Sequence, residues 1–284
     1  MEVIISKYLG FCFGVKDAID LVEKCIKKYS DKKIYTFGEI IHNKSMINNF
    51  RKKGVNPINS LEKLSKGNVL IIRAHGVPPR IYAEAREKDI IIEDATCSKV
   101  NFTQKKGEYF TKEGYTTLII GNKKHPEVIG LKGFANSDLV IDSLIQAKQL
   151  PQYKKLGVIV QTTFTQLKFL EIIEELKNHT NEIKIKNTIC NATKKQQDAI
   201  NDLETMVNVI IVVGGKNSSN TRKLYERCQR NKLSYLVESE EEVNPLWFKY
   251  YQSVGVTAGA STPDYLIQEV VNKLKKINPP ERRF

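Results

Sequence analysis

The sequence predicts an α/β protein made of three similar units with mainly parallel sheets. Two observations lead to this prediction: strand-like apolar runs alternate with amphipathic helical stretches along the chain, and three cysteines recur in the same local setting. Alternation of this kind is typical of parallel sheets that carry helices on both faces. With 284 residues, the chain is long enough for about two domains as a first expectation.

The strand candidates are short runs rich in valine and isoleucine, which favour extended structure. They lie at 3–6, 33–38, 68–74, 89–95, 116–121, 156–161, 183–188, 208–215 and 253–259. The continuous run IIVV at 210–213 is what a parallel strand buried on both faces requires. Apolar residues at helical spacing predict helices over 15–29, 167–179 and 191–206, and a further helix after Cys97.

Composition favours a cytoplasmic protein. No run of about 18 apolar residues is present, so the sequence predicts no membrane-spanning helix and no membrane partner. The first residues lack a charged segment ahead of an apolar stretch, so we expect no secretion signal. The five cysteines are an odd number and contain no CxxC pair, which favours reduced thiols over a disulfide framework.

The chain is strongly basic, with 45 Lys+Arg against 32 Asp+Glu and a net charge of +13. Such a chain attracts anions at low ionic strength. The lysines are scattered along the sequence, and abundant Lys, Asn and Ile are also typical of AT-rich genomes. We therefore expect an anionic small substrate and no nucleic-acid partner.

Cys12, Cys97 and Cys190 each lie between a strand-like run and a helical stretch, at intervals of 85 and 93 residues. A thiolate is stabilised at a helix N-terminus, and the carboxyl ends of parallel strands form the ligand crevice of such sheets. The spacing predicts that each unit supplies one of these cysteines. The units are 13–97, 98–190, and 191–277 together with 1–12, with 278–284 as a C-terminal tail.

Three converging thiolates suit two kinds of metal centre. Zinc takes a fourth ligand or keeps an open position, whereas a [4Fe–4S] cluster with three cysteine ligands leaves one iron open to substrate. Three unrelated cysteines are the remaining alternative. Cys25 and Cys228 instead fall on apolar stripes of helical segments, which predicts small buried core residues.

Several polar side chains at predicted strand ends favour a polyphosphate pocket. Three histidines, which can donate to an anion, follow strand-like runs, and two Ser/Asn/Thr-rich segments, 214–224 and 258–264, open helices. Helix capping alone would explain either segment, and Pro263 is predicted at the first helical position of the second. The candidates are His42, His75, His125, Ser218, Ser219, Asn220 and Ser261.

Glu127 and Thr162 also follow predicted strands, in HPE and QTT. A carboxyl group beside a buried cluster and phosphates is held protonated and can donate a proton. A solvated glutamate is the plain alternative for Glu127.

Taken in order, nine motifs resemble those of the 4-hydroxy-3-methylbut-2-enyl diphosphate reductases, the LytB/IspH family. The resemblance extends from about residue 5 to residue 270. The motifs are GFCFGV (10–15), EIIHN (39–43), RAHGV (73–77), DATCSKV (94–100), HPEV (125–128), QTT (161–163), TICNAT (188–193), GGKNSSNT (214–221) and TAGASTPD (257–264).

The resemblance implies three α/β units around one central [4Fe–4S] cluster per chain. Cys12, Cys97 and Cys190 match the family's cluster ligands. Its diphosphate ligands are matched by His42, His75, Ser218, Asn220 and Ser261, with Ser219 in the same loop. His125 matches a substrate-pocket histidine, Glu127 the proton-delivering acid, and Thr162 the residue that positions Glu127 and the substrate's hydroxyl.

The implied reaction is the last step of the non-mevalonate isoprenoid pathway. (E)-4-Hydroxy-3-methylbut-2-enyl diphosphate binds the open iron through its C4 hydroxyl and is reduced to isopentenyl and dimethylallyl diphosphates. A ferredoxin- or flavodoxin-type protein supplies two electrons singly. A non-catalytic metal-containing sensor and a zinc phosphohydrolase are the rival hypotheses, although the sequence lacks the HxH or carboxylate ligands expected of the hydrolase.

Overall fold

A computed structural model of the chain describes residues 1–41 and 43–277. Helices and strands alternate along these residues. The strands are β1 (Glu2–Ile5), β2 (Ile34–Phe37), β3 (Val55–Ile58), β4 (Val69–Ile72), β5 (Ile91–Asp94), β6 (Thr116–Ile120), β7 (Val140–Ile141), β8 (Tyr153–Val160), β9 (Thr180–Lys186), β10 (Val209–Val213), β11 (Leu233–Val237) and β12 (Ser253–Ala258). The helices are α1 (Phe13–Lys28), α2 (Lys44–Lys52), α3 (Pro79–Glu87), α4 (Ser98–Lys112), α5 (Pro126–Ala135), α6 (Leu144–Lys148), α7 (Gln166–Leu176), α8 (Asn191–Met206), α9 (Ser219–Gln229) and α10 (Asp264–Lys276).

The strands form three four-stranded sheets with the orders β1-β12-β10-β11, β3-β2-β4-β5 and β7-β6-β8-β9. Every strand pairing among the described residues is parallel. The predicted fold class, α/β with three similar parallel sheets, is therefore confirmed.

The chain divides into two compact units. Of the described residues, the first unit comprises 1–13, 43–46 and 191–277, and the second comprises 14–41 and 47–190. The first contains the sheet β1-β12-β10-β11, and the second contains the other two sheets. The predicted boundaries at 12/13, 97/98 and 190/191 stay a prediction.

In the first unit, β10 is buried along its whole length, as its unbroken apolar run predicts. Alternate residues of a strand point to opposite faces. Val209, Ile211 and Val213 therefore pack in a core with α10, whereas Ile210 and Val212 pack in a second core with α8 and α9. Helices on both faces hold the carboxyl end of β10 in a fixed place.

The sheet β7-β6-β8-β9 of the second unit is covered in the same way. Ile119 and Ile159 pack with residues of α4 and α5, whereas Leu118, Ile120 and Val158 pack on the opposite side with α6 and α7. Because helices cover both faces of this sheet, functional side chains can lie only at its edges, and the carboxyl ends of β6 and β8 are the usual place for them.

Three strands, β3, β7 and β11, were not predicted, and all three lie at sheet edges. An edge strand needs fewer apolar residues than a central one, and β3 even contains Pro57. One predicted helix start is also shifted: Pro263 has extended backbone (φ −63°, ψ 147°) and precedes α10, rather than forming its first residue. No helix among the described residues has both the length and the apolar character needed to cross a bilayer.

Candidate functional site

The five cysteines fall into two groups. Cys12, Cys97 and Cys190 are partly exposed, whereas Cys25 and Cys228 are buried in helices. Burial raises the pKa of Cys25 to about 11 and that of Cys228 to about 12. Because the thiolate is the form that binds metals, these two buried thiols are poor ligands. Their predicted role as small core residues is confirmed.

Cys97 lies at the N-terminus of α4, within the second unit. Its carbonyl accepts the first helical hydrogen bond, from Asn101 N (2.9 Å), and its own N–H donates to Ala74 O (3.0 Å). The sulfur therefore lies at the positive end of the helix dipole, where a thiolate is stabilised.

Gly14 of α1 lies against the Cys97 sulfur. A Cβ added to Gly14 would lie 2.4 Å from Sγ, far inside van der Waals contact. Only a glycine lets the start of α1 approach the thiol this closely. The Cys97 thiol is partly exposed, lies at a helix N-terminus and has no side chain of residue 14 against it. These properties fit a sulfur that binds a metal or cluster.

Cys190 is held at the end of the same unit's other sheet. Its N–H donates to the carbonyl of Thr162 (2.8 Å), just after β8. Two residues earlier, the Thr188 hydroxyl accepts from Val160 N (3.1 Å) and donates to Val160 O. These bonds extend the β8–β9 pairing to the turn that carries Cys190.

The Glu127 carboxyl group is buried (1% exposed), and Thr162 binds both of its oxygens. Oε1 accepts from Thr162 N (2.7 Å), and Oε2 lies 2.8 Å from Thr162 Oγ1. The alternative prediction that Glu127 is a solvated side chain is therefore wrong. Because the N–H can only donate, a proton on this carboxyl group belongs on Oε2, next to the Thr162 hydroxyl.

His125 precedes Glu127 and caps α5. Its Nδ1 accepts from Glu127 N (3.2 Å), so Nδ1 carries no proton and Nε2 is the donor of the neutral ring. The ring meets that of His75 edge to face, with centroids 5.4 Å apart. Both histidines follow strands, β4 and β6, at the carboxyl ends of their sheets.

These contacts form one continuous row in the second unit. It runs from Cys97, whose N–H binds the residue before His75, through the two histidine rings to Glu127, Thr162 and Cys190. The two cysteines join this row through their backbone N–H groups, and between them lie two imidazoles, an acid and a hydroxyl from separate strand ends.

In the first unit, the two Ser/Thr-rich segments lie side by side. They follow β10 and β12, which are paired with Val213 opposite Ala258. Ser218 caps α9 by accepting from Thr221 N (3.3 Å), and Ser261 Oγ donates to Ser218 Oγ (3.4 Å). Ser219 and Asn220 form the first turn of α9 and are buried. Hydroxyls and backbone N–H groups at a helix N-terminus suit a phosphate.

Cys12 lies beside this cluster through its backbone, since its N–H donates to Ala260 O (3.2 Å), next to Ser261. Gly259 makes the packing of the two segments possible: a Cβ there would lie 2.0 Å from Thr221 Oγ1.

Gln196 of α8 was not predicted as a functional residue. Its Nε2 donates to Gly10 O (3.3 Å) and its Oε1 accepts from Asn220 Nδ2 (3.0 Å). The first bond fixes the orientation of the Gln196 amide, so the second fixes that of Asn220. One Asn220 Nδ2 hydrogen remains for a ligand, since an amide nitrogen carries two. The sequence held a signal: Gln196 shares the apolar stripe of Ile200 and Leu203 in the predicted helix 191–206.

His42 lies outside the described residues, so its place in the site stays a prediction. Within the described part of either unit, no three His, Cys, Asp or Glu side chains are grouped closely enough to hold a metal ion. Cys12 belongs to the first unit, and Cys97 and Cys190 belong to the second.

Comparison with known proteins gives a consistent result. The model of the LytB protein family matches residues 3–275. A protein of Caldanaerobacter subterraneus subsp. tengcongensis is 42% identical over 281 residues, with 98% of each chain covered. One of Aquifex aeolicus is 38% identical over 282 residues, covering 98% of this chain and 97% of the relative. Both relatives are named 4-hydroxy-3-methylbut-2-enyl diphosphate reductase.

Two solved structures are also similar. The E-1-hydroxy-2-methyl-but-2-enyl-4-diphosphate reductase of Plasmodium falciparum has a TM-score of 0.91 and 34% identity, covering 98% of this chain and 89% of that one. A structure described as (E)-4-hydroxy-3-methyl-but-2-enyl diphosphate reductase, the terminal enzyme of the non-mevalonate pathway, has a TM-score of 0.72 and 38% identity, covering 98% and 100%.

Proposed function

Because this chain belongs to the LytB protein family, we propose that it reduces (E)-4-hydroxy-3-methylbut-2-enyl diphosphate to isopentenyl and dimethylallyl diphosphates. The allylic alcohol takes up two electrons and two protons, its C–O bond breaks, a C–H bond forms and water leaves. The observation that carries the proposal is the buried Glu127 carboxyl, bound through both oxygens by Thr162, whose carbonyl accepts from Cys190. The support that this gives is a buried acid linked through one residue to the backbone of a candidate metal ligand, Cys190.

Cys12, Cys97 and Cys190 would hold one [4Fe–4S] cluster per chain. The support is chemical: these three thiols are partly exposed, whereas the other two are buried and have raised pKa values. When bound, such a cluster supplies electrons and an open iron that polarises the substrate's hydroxyl. The electrons come singly from a ferredoxin- or flavodoxin-type protein in the cytoplasm.

The diphosphate is bound by donors of the two paired segments, Ser218, Ser219, Asn220 and Ser261, with His42 and His75 adding imidazole donors. Backbone N–H groups at the start of α9 and its helix dipole favour the anion. Binding the diphosphate, which does not react, orients the alcohol end of the substrate and lowers the entropic part of the barrier.

Proton delivery is assigned to Glu127. When Glu127 is protonated, its proton belongs on Oε2, because Oε1 accepts from Thr162 N; the Thr162 hydroxyl, 2.8 Å from Oε2, then accepts instead of donating. The Thr162 hydroxyl can take this proton and pass its own to the leaving oxygen. His125, with its donor at Nε2, would bind the substrate beside Glu127.

The proposal is tested by anaerobic purification, followed by iron, sulfide and zinc analysis and Mössbauer spectra with and without the diphosphate substrate. We expect about four irons per chain, one iron site that shifts when substrate is added, and both products when reduced methyl viologen is supplied. Stoichiometric zinc without sulfide would overturn the reductase and favour the hydrolase or sensor hypothesis.

A further inference from the structure

Helix α4 carries a stripe of lysines and aromatic rings on one face. Lys99, Phe102, Lys106 and Tyr109 follow one another at intervals of three, four and three residues, which places them in one line on a helix. Phe102 is 42% exposed and Tyr109 43%. Neighbouring exposed aromatic rings on a protein surface are typical of an interaction site.

Strand β9 adds two lysines beside this stripe. Lys184 and Lys186 pair with Gly157 and Ile159 of β8. Ile159 packs against α4, and paired residues of neighbouring strands lie on the same face of a sheet. The side chains of Lys184 and Lys186 therefore point to the side of the sheet that α4 covers. The Lys186 ammonium lies 5.5 Å from the Phe102 ring centroid, and that of Lys106 lies 5.7 Å from Phe102 and 5.2 Å from Tyr109. We call this the α4–β9 surface. Its members are Lys99, Phe102, Lys106, Tyr109, Lys184 and Lys186.

Two nearby carboxylates bind groups outside the surface, and one of them, Glu182, also attracts Lys184 of the surface. Glu108 lies 2.7 Å from Lys112, and Glu182 lies 3.6 Å from Lys155 and accepts from the Tyr115 hydroxyl. The four lysines of the α4–β9 surface therefore give it a positive charge, with two aromatic rings among them. Aromatic residues are enriched at protein interfaces, and positive surfaces steer acidic partners.

The surface also adjoins two of the three candidate ligand cysteines. Helix α4 begins directly after Cys97, and Phe102 lies about 7.5 Å further along the helix axis. Strand β9 ends at Lys186, four residues before Cys190. The contact between Lys186 and Phe102 thus joins α4 and β9 near the turns that carry the two cysteines.

We propose that the α4–β9 surface is the docking site of the electron donor, an acidic one-electron carrier protein. The inference rests on the proposed function. Each docking event transfers one electron, so two oxidised carriers leave per turnover, while two protons and the allylic alcohol give the product and water. Lysines and aromatic rings also bind single-stranded nucleic acid, but the position next to the turns of Cys97 and Cys190 favours a redox partner.

The experiment compares two charge-reversed variants of the cluster-loaded enzyme. K106E/K186E changes the surface, and the matched control K148E/K168E makes the same change of charge at exposed lysines of α6 and α7, which cover the opposite face of the same sheet. Turnover is measured against the concentration of reduced, acidic ferredoxin at low ionic strength, and separately with reduced methyl viologen, which needs no docking surface. Iron content and circular dichroism check both variants.

For K106E/K186E we expect the ferredoxin KM to rise about tenfold or more, with the viologen-driven rate within about twofold of the wild type. The control should keep the wild-type ferredoxin KM. Phe102→Ala should also raise the ferredoxin KM, because it removes the exposed aromatic ring that lies beside Lys106 and Lys186.

An unchanged ferredoxin KM in K106E/K186E, or an equal rise in the control, would overturn the docking site. So would loss of oligo(dT) binding by K106E/K186E with normal ferredoxin kinetics, which would assign the surface to nucleic acid. If the wild type does not reduce the substrate even with viologen, the proposed function fails, and the docking site fails with it.

Discussion

At the scale of single residues, Thr162 connects the acid to a cysteine. Its N–H and hydroxyl bind the two oxygens of Glu127, and its carbonyl accepts from Cys190 N. All three polar groups of one residue are used within the row. The position of the Glu127 carboxyl is therefore coupled to that of the Cys190 turn.

We expect Glu127→Gln to lower turnover by about 10²- to 10⁴-fold, the usual contribution of a general acid. The amide keeps the size of the carboxyl, can accept from Thr162 N and donate to Thr162 Oγ1, but has no acidic proton. Iron content and substrate affinity should therefore stay near those of the wild type. Steady-state kinetics with reduced viologen and a substrate titration by Mössbauer spectroscopy measure these quantities, and near-normal turnover would remove Glu127 from proton delivery.

Gln196 orients Asn220, and in the proposed mode of substrate binding it is a positioning residue. We expect Gln196→Ala to raise the KM for the diphosphate substrate roughly two- to tenfold, since one neutral hydrogen bond contributes about 0.5–1.5 kcal/mol. The kcat should change less, because the reacting end of the substrate does not contact Gln196 or Asn220 in the proposed mode of binding.

Asn201→Ala is the matched control, because Asn201 is an exposed amide on the same helix that bonds to Arg227 rather than to Asn220. It should leave the substrate KM unchanged. A loss of kcat with constant KM in Gln196→Ala would contradict the positioning role.

At the scale of elements, the close approach of α1 to α4 depends on Gly14. Replacing a helical glycine by alanine normally stabilises a helix by about 1 kcal/mol. At Gly14 the new methyl group would lie 2.4 Å from the Cys97 sulfur, so the cysteine or the helix must move. Helix propensity thus favours alanine at position 14, whereas the packing against Cys97 requires glycine.

We expect Gly14→Ala to lose at least half of its cluster iron while the chain stays folded. Gly130→Ala in α5 is the control, since the nearest atom to its added Cβ is at 3.6 Å, an ordinary contact. Iron and sulfide per chain, with circular dichroism, distinguish the two variants. Full iron content in Gly14→Ala would show that Cys97 does not need this close packing.

Elements also differ in how well the sequence predicted them. The central strands β4, β6, β8 and β10 were predicted because burial on both faces demands unbroken apolar runs. The edge strands β3, β7 and β11 were missed, because one side of an edge strand has no neighbour and its residues need not be apolar. These three segments form strands because each one pairs with a neighbouring strand of its sheet, a contact between elements that a local apolar pattern does not reveal.

At the scale of the whole molecule, Cys12 lies in one compact unit, and Cys97 and Cys190 lie in the other. Cys190→Ser should lose most of the iron, because an alcohol is a poor ligand for iron at neutral pH, whereas Cys25→Ala should keep it. Burial raises the pKa of Cys25, so its neutral thiol persists well above pH 8 and is no ligand.

Iron and sulfide analysis of the two anaerobically purified variants provides the test. An intact cluster in Cys190→Ser, or a lost one in Cys25→Ala, would overturn this division of the cysteines.

Part of the net charge of +13 is gathered on one surface of the fold, although the lysines are scattered along the sequence. Lysines 99 and 106 are separated from lysines 184 and 186 by about 80 residues, and they come together only because α4 packs beside β9. Scattered lysines in the sequence thus become one charged surface in the fold.

Local sequence patterns suffice to predict the α/β class, the position of Cys12, Cys97 and Cys190 in strand-to-helix turns, and the burial of Cys25 and Cys228. These properties follow from local patterns: apolar periodicity, turn residues and helix starts act over a few positions. The row that joins Cys97, His75, His125, Glu127, Thr162 and Cys190 was decided only by tertiary structure. So were the Gly14 contact, the Gln196–Asn220 bond and the α4–β9 surface, because each joins residues distant in sequence whose distance is set by how sheets and helices pack.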